Sequence, residues 1–87
     1  MFLLERKMMT PITKIVSDKK EKISLDEAQK IVGGYVQLLS LPNGKLLVDE
    51  EGLLKNLPIN AEASMLANQR IVGNAIFFAK GCGRNWG

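Results

Sequence analysis

The chain contains no histidine and one cysteine, Cys82. Without an imidazole it lacks the commonest general base, proton shuttle and metal ligand. A Ser-His-Asp triad, a Cys-His dyad and a Cys/His zinc site are all excluded within one chain. A lone thiol forms no intramolecular disulfide, which fits a reducing compartment, and Cys82 has no base beside it in sequence. No apolar run approaches the roughly 20 residues that span a bilayer. Met1-Phe2-Leu3-Leu4 is too short for the apolar core of a signal peptide. No Gly-x-x-x-x-Gly-Lys-Ser/Thr phosphate loop occurs. These absences predict a cytoplasmic, non-enzymatic protein with no cofactor, no bound metal and no membrane contact.

What is present fits one small globular domain of 87 residues, 46% apolar and 24% charged. A chain of this size buries only about 60% of its unfolded surface. With four Met and three Phe in so small a core, stabilisation by a homo-oligomer is an open alternative to a monomer. The net charge of +3 is too small to dictate a partner. The run Lys19-Lys20-Glu21-Lys22 is mixed in sign and reads as a solvated loop, with a phosphate patch as the alternative.

Residues 1–10 read as an arm or short helix, 11–80 as an α+β domain, and 81–87 as a glycine-rich tail. Pro11 to Val16 has strand character. Ser24-Leu25-Asp26-Glu27 is a capping box, since the Ser24 hydroxyl can accept from the Glu27 amide. Leu25, Ala28, Ile31 and Val32 then recur at helical spacing until Gly33-Gly34 stops the helix. Tyr35 to Leu41 and Leu46 to Val48 form a hairpin, the first strand buried on both faces, with Asn43-Gly44 suited to the positive φ of a primed turn. Asn60 caps a second helix, Ala61 to Ala67, with Glu62 in its first turn and Met65 and Leu66 facing the core. Arg70 to Ala79 is the last strand, interrupted at Gly73-Asn74 by a bulge or a close backbone contact. The order strand, helix, hairpin, helix, strand predicts a mostly antiparallel sheet with helices packed on one face.

Two corners concentrate polar residues. Asp49-Glu50-Glu51 reads as a solubilising turn at a sheet end; the alternatives are a divalent-cation site or acid/base pair, which three consecutive carboxylates on an extended chain serve poorly, or one carboxylate that accepts bonds from a ligand or partner. Leu57-Pro58-Ile59-Asn60 reads as a fixed turn and helix cap, or as an amide that reads a ligand edge. Asn74 and Tyr35 extend the candidate surface, Tyr35 as a stacking platform. In the tail, Lys80, Arg84 and Trp86 could stack on a base and neutralise phosphate; the competing reading is an ordinary terminus.

The succession Val32-Gly33-Gly34-Tyr35-Val36, Pro42-Asn43-Gly44, Asp49-Glu50-Glu51-Gly52-Leu53-Leu54-Lys55, Leu57-Pro58-Ile59-Asn60, Ala63 and Ile71-Val72-Gly73-Asn74 resembles the family known as domain of unknown function 3846. Two departures stand out: Gln37 lies where members often carry Glu, and the tail after Ala79 is short and glycine-rich. The resemblance implies no activity. It implies a setting in phages, plasmids or bacteria. The reading that follows is a small binding protein of a mobile element, acting against host defence by capturing a nucleotide-like signal or a host protein. The candidate residues are Tyr35, Asp49, Glu50, Glu51, Asn60, Asn74, Arg84 and Trp86. The alternative is a nucleic-acid accessory protein that uses Lys80, Arg84 and Trp86.

Overall fold

The capping box starts a helix where its chemistry says it should. In the computed structural model, which describes residues 9–10, 12–83 and 86, the elements are β1 (Met9–Thr10), β2 (Lys14–Val16), α1 (Leu25–Val32), β3 (Val36–Leu41), β4 (Gly44–Asp49), β5 (Ile59–Asn60), α2 (Ala61–Ala67) and β6 (Ala75–Ala79). Ser24 Oγ accepts from the Glu27 amide at 3.1 Å. Gly33 ends α1 at φ 94°, a left-handed value that glycine adopts without the Cβ penalty.

The fold is α+β, and its four-stranded sheet runs β2-β6-β4-β3. β4 is antiparallel to both of its neighbours, but β2 lies parallel to β6, with Lys14 opposite Ile76 and Val16 opposite Phe78. The sheet is therefore mixed rather than mostly antiparallel. Parallel neighbours need a long crossover, and here everything between the first and last strands of the sheet supplies it. No local pattern announces such a pairing. A second, two-stranded pair joins β1 to β5 in parallel, and Ile59 also bridges Val72. The other residues of the expected arm, 1–8, lie outside the described residues, as does Pro11.

The helices pack on opposite faces, not on one. Leu46, Leu47 and Val48 are all buried. Successive side chains of a strand point to opposite faces, so β4 needs a cover on each. Leu47, Ile76 and Phe78 meet Ala28 and Val32 of α1. Leu46, Val48 and Ala75 meet Ala63 of α2. β3 shares both layers: Val36 and Leu38 pack on the first core, Leu39 and Leu41 on the second. Within α2 Ala63 is buried and Ala67 packs beside it on the core, whereas Met65 is 82% exposed and Leu66 half-buried. A helix of only seven residues presents one narrow stripe to the sheet.

Two more expectations change in detail. The hairpin turn has Pro42 and Asn43 as its central residues. A proline ring fixes φ near −65°, which a primed turn does not accept, and the positive φ falls on Gly44 instead (154°). The last strand begins at Ala75, because Gly73 takes φ 80° and packs against Leu57.

Gly44 tests the register directly. A Cβ there would stand 2.0 Å from the Phe78 carbonyl oxygen, a backbone atom that cannot rotate away. At Gly33 a Cβ would meet nothing within 4 Å. In urea melts, Gly33→Ala is expected to cost about 1 kcal/mol for the left-handed backbone. Gly44→Ala should cost about 2–3 kcal/mol or more through overpacking. Equal losses would contradict the β4–β6 pairing at this point.

Candidate functional site

The acidic corner closes on itself. The Asp49 side chain is 1% exposed and lies 2.8 Å from Lys55 Nζ through Oδ2. Its Oδ1 accepts from the Glu51 amide at 2.8 Å. Lys55 also donates to the Gly33 carbonyl at 3.3 Å, so a cation sits at the C-terminal end of α1, where the helix dipole favours it. Gly34 leaves room for this group, since a Cβ there would approach Lys55 Nζ to 2.6 Å. Gly33-Gly34, Asp49 and Lys55 thus form one structural joint. Glu50 and Glu51 remain exposed on its rim, and Tyr35 stands beside them with 68% of its surface in water.

The Leu-Pro-Ile-Asn corner is equally internal. Asn60 is fully buried; its Oδ1 accepts from the Ala63 amide at 3.1 Å and its Nδ2 donates to the Gly73 carbonyl at 2.9 Å. It is a structural amide that caps α2 and holds the Gly73 turn, not one aimed at a ligand. Asn74 is exposed, but its Nδ2 donates to the Ile31 carbonyl at 2.9 Å and caps the end of α1. The fold therefore does not bring Asp49, Asn60 and Asn74 to a common surface.

A different set of residues does converge. A groove of about 380 Å³ is lined by Leu53, Leu57, Pro58, Ile59 and Arg70. A second, of about 390 Å³, shares Leu53 and Arg70 and reaches Leu54, Gln69, Glu50 and Glu51. A third, shallower depression shares Ile59 and Arg70 and extends to Met65. Arg70 stands where the three meet. Among the described residues it makes no ion pair. Around it Leu53, Leu54 and Met65 are 68%, 84% and 82% exposed. The backbone that carries Arg70 is fixed from both sides. Asn68 closes α2 at φ 53°, and the Ser64 hydroxyl both accepts from the Ile71 amide (2.8 Å) and donates to its carbonyl (3.1 Å).

The described residues of the tail pack on the core. Trp86 stacks on Phe78 with ring centroids 6.4 Å apart, and its indole N–H donates to the Ile23 carbonyl at 3.3 Å. Lys45 Nζ donates to the carbonyls of Gly83 and Trp86. A groove of about 260 Å³ brings Lys19 and Lys22 to Trp86. Lys80 is exposed, and Arg84 lies outside the described residues. Within the lysine run, Glu21 pairs with Lys14 at 2.8 Å. That hydrogen bond, with the charge of Glu21, holds the Lys14 ammonium above its ordinary value of 10.5. Among the described residues no group of three or more His, Cys, Asp or Glu side chains could hold a metal ion. No described helix is long and apolar enough to cross a membrane.

The family model described as domain of unknown function (DUF3846) matches residues 2–85. The chain belongs to the DUF3846 family. No curated protein and no solved structure matches it. Gly33-Gly34, Asp49 to Lys55, Leu57 to Asn60 and Ile71 to Asn74 build the two joints. In this DUF3846 protein the polar members of those segments specify architecture, while their Leu53, Leu54 and Ile59 join Met65 in the surface around Arg70. The sequence reading missed Arg70, Leu53, Leu54, Ile59 and Met65. A signal for Met65 was available: a seven-residue helix that buries Ala63 has no second inward stripe.

Three substitutions test the two joints. Asn60→Ala removes a cap and leaves the Gly73 carbonyl buried without that donor; a loss of about 2–4 kcal/mol is expected in urea melts. Lys55→Met leaves the Asp49 carboxylate buried beside an apolar chain and should cost about 1–3 kcal/mol, solvent at Lys55 moderating the effect. Adding Asp49→Asn should recover part of that loss. Additive losses in the double variant would show that the two side chains are not coupled.

Proposed function

We propose that this DUF3846 protein is a non-enzymatic binding protein that docks a partner protein on the apolar surface around Arg70. The observation that carries the reading is the exposure of Leu53, Leu54 and Met65 around a cation that forms no ion pair among the described residues. Apolar surface left in water costs about 25 cal/mol per Å², and contiguous apolar surface rimmed by polar groups marks interaction sites. Arg and Met are enriched at such interfaces. The partner that fits offers apolar side chains and a carboxylate for Arg70. The mobile-element setting that the family resemblance implies makes a host protein, including one of host defence, the target of this reading. A nucleotide-like ligand ranks behind it, because Lys55, the cation beside Tyr35, is already bound to Asp49.

The test compares purified wild type with Leu53→Asp/Met65→Asp and with Arg70→Glu in pull-downs from bacterial lysate, with Lys80→Glu as control. A prey retained by wild type and the control, and depleted about tenfold by both surface variants, is expected. Identical preys on all four proteins, or saturable binding of a cyclic nucleotide or ADP-ribose by titration calorimetry, would overturn the reading.

One observation favours a second reading: the fold brings Lys19 and Lys22 to Trp86. A nucleic-acid interface there predicts gel shifts that weaken steeply with salt. The stacking of Trp86 on Phe78 argues against its ring serving as an open base platform, and no shift at low ionic strength would remove this reading.

A further inference from the structure

The four-stranded sheet has two very different edges. The β2 edge is three residues long, and its Lys14 is ion-paired to Glu21. Short length and charge are the usual devices that blunt an edge. The β3 edge is six residues long, Val36-Gln37-Leu38-Leu39-Ser40-Leu41, and carries neither charge nor proline. No described segment pairs with its outer side. An edge of this kind is a template for another strand.

The register shows which backbone groups point outward. In the β3–β4 ladder Leu41 lies opposite Gly44 and Val36 opposite Asp49. The same ladder continues to Tyr35, whose carbonyl accepts from the Glu50 amide at 2.9 Å. Hydrogen-bonded and non-bonded pairs alternate along an antiparallel ladder. Residues 37, 39 and 41 therefore share the parity of Tyr35 and bond to β4. Val36, Leu38 and Ser40 turn their N–H and C=O groups away from the sheet.

We propose that a second copy of this chain pairs antiparallel with β3 about a two-fold axis perpendicular to the sheet. Leu38 lies opposite the partner's Leu38, and Val36 opposite the partner's Ser40. Such an axis keeps each face of the sheet continuous. Side chains of one parity therefore meet their own kind, and registers slipped by a single residue are excluded. This register uses every outward group of β3, because each of the three residues gives one donor and one acceptor. A slip toward the turn sets Val36 opposite the partner's Pro42, which has no N–H. A slip the other way sets Ser40 opposite the partner's Gly34, beyond the strand.

Charge favours the same arrangement. Glu50 and Glu51 stand at the start of β3, whereas Lys45, opposite Ser40, and Lys80, just past the Gly44–Ala79 pair, stand at its end. Antiparallel pairing turns the acidic corner of one copy toward the basic end of the other across about three strand spacings of ~4.8 Å, so these charges orient the encounter rather than form ion pairs. The dimer closes by symmetry: both β3 edges are consumed, and only the blunted β2 edges remain outside.

Light scattering across a concentration series, with amide hydrogen exchange followed by NMR on the same samples, tests the assembly. The expected mass is twice the monomer's 9.6 kDa. Protection of the Val36, Leu38 and Ser40 amides should rise with the dimer fraction, while the Gln37, Leu39 and Leu41 amides stay protected at every concentration. Ser40→Pro removes an outward N–H without touching the β4 ladder and should weaken dimerisation about tenfold or more. A monomer at millimolar concentration overturns the proposal. So does protection of the three outward amides in the monomer, which would assign the edge to another segment of the same chain. A Ser40→Pro protein that folds and dimerises as well as wild type also overturns it. Should that variant not fold, the concentration dependence of the wild-type exchange pattern decides alone.

Discussion

The buried amide of Asn60 is the constraint on which the rest of this small structure depends. Its oxygen starts α2 and its nitrogen holds the Gly73 carbonyl. Its backbone N–H donates to Ile71, while the Gly73 N–H returns to Pro58 at 2.7 Å. Glycine suits position 73 in the same geometry, since its φ is 80° and a Cβ would press on a Leu57 methyl. The next residue, Asn74, ties the opposite side of the sheet by capping α1 at Ile31. Two consecutive residues therefore join the layer of α2 to the layer of α1, and β6 leaves that junction to run between β2 and β4.

Local chemistry made much of this legible. Ser24 and Glu27 announced α1, Gly33 its end, and Asn60 the start of α2, because each signal is a bond within a few residues of itself. The hairpin was legible for the same reason, although Pro42 displaced the turn type. What stayed hidden was non-local. The parallel pairing of β2 with β6 leaves no mark in either strand. The placement of the helices was half-visible: β3 read as buried on both faces, and the run Leu46-Leu47-Val48 of β4 carries the same message. A sheet apolar on both faces cannot be covered by helices on one.

Polar residues in this chain do not mark a site by themselves, because polarity in a sequence does not reveal where the partner lies. Asp49, Asn60 and Asn74 look like a binding surface when strung along the chain. In the fold, their hydrogen bonds reach Lys55, Gly73 and Ile31. In a small domain each such bond joins elements that have little apolar area with which to hold one another. The residues left to face the outside are then the apolar ones that those joints cannot enclose.

That shortage links the core to the surface around Arg70. Strands β4 and β3 need cover on two faces, and the chain provides one helix for each. On one face, α1 ends against Lys55 and Asn74 and fills its layer. On the other, α2 is a seven-residue helix whose buried residue is Ala63. So short an element turns its own Met65 outward and leaves Ile59 and Leu53 uncovered, and the closed turn at Asn68 then carries Arg70 out among them. An apolar surface with a cation in it follows from covering a two-faced sheet with too little helix. It persists in a folded protein because the joints at Asn60 and Asp49 hold the backbone beneath it without help from those side chains.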